Sequence, residues 1–253
     1  MLWRIGTIGF SYPDWVGPFY PHRTRPADFL ATYAHTFDTV ELDTTFHAAP
    51  APERVRHWAG QVPRDFLFCP KVPRAITHDQ PLAAGREFHG FLAAIRQFGA
   101  TLGPILVQFP PSFTSREFGR LETFLRQLPE DLRFALEFRH NSWENDRTFD
   151  LLARHRVAWV ASDYGVDPFP IHATTDFLYV RFIGIHQQFA DHEYERTDMT
   201  QRLIWWQFHA ERLAASTTYA FFNNDYAGHA PATAARLKAL VGQPAPQLEN
   251  LLF

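Results

Sequence analysis

The chain contains the stretch Phe134-Ala135-Leu136-Glu137-Phe138-Arg139-His140-Asn141-Ser142-Trp143, which alternates like a β-strand and then turns polar. Successive side chains of a strand point to opposite faces. Phe134, Leu136 and Phe138 would therefore share an apolar face. Glu137 and Arg139 would share the other. Unpaired charge is costly to bury, so a carboxylate and a guanidinium pointing the same way from a buried strand indicate a site rather than packing alone.

Seven further segments have the composition of buried strands, and helical patterns fall between most of them. These strands are expected near residues 3–9, 37–43, 66–71, 104–109, 157–162, 177–182 and 218–223. Thr114-x-x-Glu117, ahead of an apolar helical stripe, has the spacing of a capping box. Eight strands alternating with helices in 253 residues predict a single (β/α)₈ TIM barrel over residues 1–253. A doubly wound sheet is less favoured, because residues 6–11 lack the G-x-G-x-x-G turn.

Composition narrows the class of protein. The formal charge of −3 gives no overall basic footprint for coating nucleic acid, although a local basic groove stays open. Cys69 is the single cysteine of the sequence, which fits a reducing compartment. No apolar run approaches a membrane span, and the first nine residues are typical of a strand rather than an export peptide. We therefore expect a cytoplasmic protein that makes no membrane contact.

Polar residues gather where the predicted strands end, and TIM barrels carry their active sites at the carboxyl ends of their strands. The apolar neighbours of Glu41 and Arg181 would face the helices, which turns both charges toward the lumen. The strand ends supply the following candidates: Ser11, Tyr12, Glu41, Asp43, Lys71, Gln108, Glu137, Arg139, His140, Asp163, Arg181, Asn223, Asn224 and Asp225.

Several motifs resemble those of the YecE-like family, catalogued as domain of unknown function 72 and described as TIM-barrel proteins related to sugar isomerases. The motifs span residues 9–15, 37–46, 135–143, 179–182 and 221–231. The resemblance covers nearly the whole chain and implies the barrel, but it brings no established reaction. Ala48 stands where the family usually has an arginine, so a phosphate-binding role is not carried over whole.

The favoured hypothesis is an isomerase- or hydrolase-like enzyme with an acid/base site for a small polar substrate, sugar-like or anionic. Glu137 is the expected acid/base, His140 would orient it or shuttle protons, and Glu41 and Asp225 would support it. The residues expected to bind substrate are Lys71, Arg139, Arg181, Tyr12, Trp15, Gln108, Asn223, Asn224 and His229.

Each of these interpretations has a structural alternative. Glu137 and Arg139 could form a purely structural ion pair. The turn from Asn223 to Pro231 could bind an anion at a helix start or merely satisfy its own backbone. A divalent metal held by Glu41, Glu137, Asp163 and Asp225 is possible but not favoured, because the nearby cations already neutralise much of that charge.

Two other functions stay open. An endonuclease IV-like repair or nucleic-acid-binding protein would show a basic rim and a bound divalent metal, and its relation to this chain is one of fold analogy alone. A non-catalytic barrel that binds a metabolite or a partner would have Glu137 and Arg139 fully paired with each other, leaving no open pocket.

Overall fold

The strands fall where the sequence predicts them. The structure is a computed structural model that describes residues 1–79, 82, 85–165 and 171–245, and these residues form eight parallel strands. In chain order, β1 to β8 are Leu2–Ile8, Thr39–Leu42, Leu67–Pro70, Ile105–Gln108, Phe134–Glu137, Ala158–Asp163, Phe177–Phe182 and Thr217–Phe222.

The sheet closes into a barrel. The paired order is β3-β2-β1-β8-β7-β6-β5-β4, so the first and last strands are neighbours. The remaining seam, between β3 and β4, is closed by isolated bridges at Phe68–Leu102 and Lys71–Leu106. The amide of Val72 also donates to the Leu106 carbonyl at 2.8 Å. The predicted (β/α)₈ fold is confirmed, and Lys71 lies at the seam that completes it.

Helices occupy most of the connections between strands. Within the described residues, α1 to α8 are Phe29–Tyr33, Pro52–Ala59, Arg86–Ile95, Phe118–Leu125, Asp146–Arg154, Thr200–Ala210, Asn224–Ala227 and Ala230–Leu240. The described part of the connection between β6 and β7 contains no α-helix. None of the helices in the described ranges is long and apolar enough to cross a membrane.

The predicted capping box is wrong. The chain passes through a 3₁₀ turn at Ser115–Glu117 before α4 begins, so Thr114 precedes that turn and its side chain makes no capping hydrogen bond. A side-chain cap forms instead at α5, where Asn145 accepts from the amide of Thr148 at 3.0 Å. The capping-box motif is read from four consecutive residues, whereas the geometry of the turn that precedes α4 depends on contacts with distant parts of the chain.

The barrel has two apolar layers. Residues that point away from the lumen, including Phe134 and Leu136, pack against the helices in the larger core. Residues that point inward fill the lumen, among them Leu106, Tyr179 and Phe221. Cys69 belongs to this inner layer and is fully buried, as expected for barrel filling. Charged side chains occupy the inward positions nearer the carboxyl ends of the strands.

The pairing between β5 and β6 is shorter than that between β7 and β8. These strands pair at Ala135–Ala158 and Leu136–Trp159, whereas β7 and β8 pair from Phe177–Thr217 to Phe182–Phe222. The carboxyl ends of β5 and β6 consequently separate. A cavity of ≈ 210 Å³ lies there and is lined by residues of β6 and by residues that follow β5 and β6.

Candidate functional site

Arg181 is the centre of a buried ion network at the top of the lumen. Its Nε and Nη2 atoms donate to the two oxygens of Glu41 at 3.0 and 2.7 Å. Its Nη1 atom donates to Oε2 of Glu137. Burial opposes the charge on Arg181, but the two carboxylates outweigh it and raise the pKa of the guanidinium. The inward direction predicted for these three side chains is confirmed.

Glu137 has partners on both of its oxygens. Oε2 also accepts from Gln108 at 2.8 Å, and Oε1 accepts from the hydroxyl of Tyr164 at 3.1 Å. The Nε atom of Arg139 lies 2.5 Å from Oε1. The residue is 1% exposed, so these contacts replace its hydration shell.

These contacts fix the charge of Glu137. Burial would raise the pKa of the carboxyl group, but Arg139, Arg181 and Lys71, together with the hydrogen bond from Gln108, hold that pKa well below its usual range. A carboxyl group in this state stays ionised at neutral pH and is a weak base. The geometry thus pairs Glu137 with cations, and its role as the acid/base, which the sequence predicts, stays a prediction.

Lys71 is the cation of the network that has no direct partner. Within the described residues, its Nζ atom has no hydrogen bond and no ion pair; it lies 3.9 Å from the centroid of the Phe46 ring. Burial and then repulsion from Arg181 lower the pKa of Lys71 to about 8, against the opposing pull of Glu137 and Glu41. An amine in this state exists in both protonation forms near neutral pH.

His78 lies in the surroundings of Lys71. It belongs to a π-helical turn, Ala75–Asp79, that follows β3, and its ring contacts that of Phe46 edge-on at 5.0 Å. Its Nδ1 atom is 2.8 Å from the Thr77 hydroxyl. Burial and the nearby charge of Lys71 lower the pKa of His78. Both effects favour the neutral imidazole over the imidazolium form.

Arg139 connects the ion network to the cavity between β5 and β6. Its side chain is 29% exposed and lines that cavity, and apart from its ion pair with Glu137 it donates no hydrogen bond within the described ranges. Tyr164 and Ser162 also line the cavity, and the buried hydroxyl oxygen of Ser162 lacks a hydrogen-bond partner. Glu137 and Arg139 are paired, but an open pocket lies beside them.

Several predicted site residues are engaged in local structure. The imidazole of His140 accepts from the amide of Ser142 at 3.1 Å and so caps the 3₁₀ turn Asn141–Trp143. Trp15 is fully buried, and its indole N–H donates to Asn224 at 3.1 Å. Asn223 caps α7 by accepting from the amide of Asp225.

A second polar group surrounds Asp225. Its carboxylate accepts from the amide of Gln187 at 3.1 Å and lies 3.7 Å from Nε2 of His192. His229 is buried beside it; its Nδ1 atom is 2.7 Å from the His192 carbonyl, and burial lowers the pKa of this imidazole to about 4. Tyr12 donates to the Ile8 carbonyl at 2.9 Å, and burial, then the charge of Asp43, raise its pKa.

The four carboxylates considered as metal ligands do not form one group. Asp163 points toward the helices, where it accepts from Arg202 at 2.6 and 2.7 Å and from Trp206 at 2.6 Å. Its placement with Glu41, Glu137 and Asp225 is therefore wrong. Within residues 1–79, 82, 85–165 and 171–245, no three His, Cys, Asp or Glu side chains converge closely enough to hold a metal ion.

Sequence reasoning missed three members of the network. Tyr179, which donates to Glu41 at 2.9 Å, shares the face of Arg181 on β7 and could have been found by alternation. Tyr164 and His78 lie in connections, where no regular period predicts the direction of a side chain. Their contribution becomes visible once the strand ends are placed around one lumen.

The fold and this geometry define the class: a (β/α)₈ barrel that carries a buried ion network at the carboxyl ends of its strands, with a lysine there that is unpaired among the described residues. The chain belongs to the family described as "Protein of unknown function DUF72", whose model matches residues 4–251. The family description names no reaction.

Relatives agree with this assignment. UPF0759 protein YecE of Escherichia coli O157:H7 is 28% identical, covering 90% of this chain and 88% of that protein. UPF0759 protein YunF of Bacillus subtilis strain 168 is 26% identical, covering 89% and 90%. A solved structure of a DUF72 family protein from Thermotoga maritima MSB8 is 29% identical, with a TM-score of 0.80 over 96% of this chain and 100% of that one.

Proposed function

We propose that the protein is an enzyme that binds a small, polar, anionic substrate at the carboxyl ends of its strands and performs acid/base chemistry there. One observation carries the proposal: within the part of the chain that the structure describes, Lys71 and Arg139 have N–H groups without an acceptor, whereas Glu41 and Glu137 are occupied by other residues. A site of this kind attracts an anion.

The balance of charge supports an anionic substrate. The charged groups that act on Lys71 are the cations Arg139 and Arg181 and the carboxylates Glu41 and Glu137. With Lys71 protonated, three cations face two carboxylates, and an anion would complete the balance. Arg139 and the unpartnered hydroxyl of Ser162 also offer hydrogen bonds to a ligand in the adjoining cavity.

The state of Lys71 supports the chemistry. With a pKa of about 8, its amine can take up a proton near neutral pH, as a general base must. Glu137 then holds Arg139 and Arg181 in place rather than moving protons itself. An isomerase-like reaction, which removes a proton beside a carbonyl group and returns it elsewhere, needs these parts.

Calorimetric titration with inorganic phosphate tests the site. We expect the wild-type protein to bind phosphate, and Arg139→Gln and Lys71→Met each to weaken binding about tenfold or more, the effect of losing one charge-assisted contact of about 1.5 kcal/mol. Arg96→Gln, at an exposed pair with Asp131, is the matched control and should bind like wild type. Equal binding by all four proteins would refute the proposal.

A further inference from the structure

The use of lysine in this chain is unusually sparse. Of the 24 basic residues, all but Lys71 and Lys238 are arginine. The exposed ion pairs of the described surface, such as Arg25–Asp28 and Arg96–Asp131, use arginine. Arginine thus supplies the positive charge of these ion pairs. A lysine at a buried position is therefore expected to have another role than supplying charge.

Lys238 has a structural reason. Its Nζ atom donates to the Thr36 carbonyl at 2.8 Å, which ties α8 to the segment that leads into β2. Lys71 makes no comparable bond within the described residues. It lies at the end of β3, against the face of Phe46 and among the charges of Arg139 and Arg181.

This environment matches the requirements of a nucleophilic amine. An amine attacks a carbonyl group in its neutral form, which burial and neighbouring cations both favour. The burial of Lys71 supplies the first and the two arginines supply the second, whereas Glu137, Glu41 and the face of the Phe46 ring favour the ammonium form. Arginine in the same place would bind an anion at least as well, but it could not act as a nucleophile.

We propose that Lys71 forms an imine with its substrate, which would place the substrate among small carbonyl compounds that carry a carboxylate or phosphate group. This inference rests on the proposed function for the anionic group, and it gives Lys71 the role of nucleophile toward a carbonyl group in place of the role of general base. The amine of Lys71 supplies the covalent bond, and Arg139 pairs with the anion.

The reaction balances without a further reagent. The nitrogen lone pair of the neutral amine adds to the carbonyl carbon, the C=O π bond opens, and the oxygen takes a proton to give a carbinolamine. The hydroxyl group then leaves as water while the nitrogen forms the C=N bond. The two hydrogens of the neutral amine thus depart with the carbonyl oxygen, and protonation of the imine nitrogen makes it an electron sink.

Reductive labelling of the wild-type protein tests this inference. The probe is glyoxylate, a minimal anionic aldehyde, with cyanoborohydride to reduce any imine at about pH 8; chymotryptic peptides are then quantified by mass spectrometry. Lys71 should be labelled severalfold faster than Lys238, because about half of the Lys71 amine is neutral at that pH, whereas the Lys238 amine, whose pKa burial also lowers, is held in a hydrogen bond to the Thr36 carbonyl. Inorganic phosphate should suppress the labelling of Lys71, and the uncharged glycolaldehyde should label it more slowly than glyoxylate.

The other outcomes separate the two proposals. If phosphate binds at Arg139 and Lys71 but Lys71 is labelled no faster than Lys238, the imine is wrong and the proposed function stands. If Lys71 is labelled equally by both aldehydes and phosphate has no effect, the anionic substrate class is wrong. If phosphate neither binds nor protects and Lys71 shows no preference, both proposals fail.

Discussion

A single guanidinium holds two carboxylates at the top of this barrel. Arg181 is 3% exposed, and it contacts both oxygens of Glu41 and one oxygen of Glu137. Arg181 thereby lowers the pKa of Glu137, together with Arg139 and Lys71. Such a network orders the site more than it stabilises the fold, because the attraction largely offsets the cost of desolvation.

Removing Arg181 should therefore be severe. Arg181→Met leaves two buried carboxylates without their shared cation and should lower the free energy of unfolding by about 3–5 kcal/mol in urea titrations. Arg96→Met, at the exposed Asp131 pair, should change it little, because solvent screens that pair. Equal losses in both variants would contradict the network.

Lys71 should make stability depend on pH. Its pKa is about 8 in the folded protein against an ordinary 10.5, so the unfolded chain binds more protons between these values. The contribution of this residue to stability therefore rises as the pH increases through that window, by on the order of 3 kcal/mol. In urea titrations, the free energy of unfolding of the wild type, measured relative to that of Lys71→Met, should therefore rise by that amount from about pH 7.5 to pH 10.5. A constant difference between the two proteins would show that Lys71 has its ordinary pKa when folded.

At the scale of elements, the turns that precede the helices place more site residues than the helices themselves do. The 3₁₀ turn Asn141–Trp143 follows β5, and α5 starts at the Asn145 cap a few residues later. This segment brings His140 and Asn141 to the cavity beside Arg139. The site thus depends on how short connections leave the strands.

The two caps provide a matched test. Asn145→Ala removes a side-chain acceptor from the first turn of α5 and should cost about 1 kcal/mol of unfolding free energy. Thr114→Ala, where the side chain makes no capping bond, should cost no more than a few tenths of that. Chemical denaturation of both variants measures these losses. A larger loss of unfolding free energy in Thr114→Ala than in Asn145→Ala would show that the capping box forms.

Two glycines give a similar contrast. Gly184 follows β7 with φ = 72°, and a Cβ atom there would lie 2.1 Å from the Asp225 carbonyl oxygen. Gly184→Ala should thus destabilise the protein by about 2 kcal/mol or more, since the left-handed conformation alone costs about 1–2 kcal/mol. Gly90 lies inside α3 with open space around it, so Gly90→Ala should raise the free energy of unfolding by about 0.5–1 kcal/mol. In thermal unfolding, the melting temperature should fall for Gly184→Ala and rise for Gly90→Ala. A shift of both variants in the same direction would contradict this prediction.

At the scale of the whole molecule, alternation along strands predicted the barrel and its inward charges. Glu41, Glu137 and Arg181 could be placed because apolar neighbours fix the opposite face. Asp163 could not, because β6 is apolar on both faces, as strands of a covered parallel sheet are. His78 and Tyr164 lie in connections, whose course depends on contacts far away in the sequence. The pKa of Lys71 also needed the structure, since it follows from burial and from charges on three other strands.

Where the strands converge, the Lys71 amine has no hydrogen-bond or ion-pair partner among the described residues. Cations and carboxylates on β2, β5 and β7 surround Lys71, with His78 on the turn that follows β3. The chain contributes one further lysine, Lys238, which serves as an internal reference. Both amines can be observed separately in solution.

The most direct measurement is ¹³C NMR of the protein with both lysines isotopically methylated, titrated with and without inorganic phosphate. We expect Lys71 to titrate near pH 8 and its pKa to rise when phosphate binds, because an adjacent anion favours the ammonium form, while Lys238 does not respond to phosphate. A titration of Lys71 near the ordinary 10.5 that phosphate leaves unchanged would contradict the account.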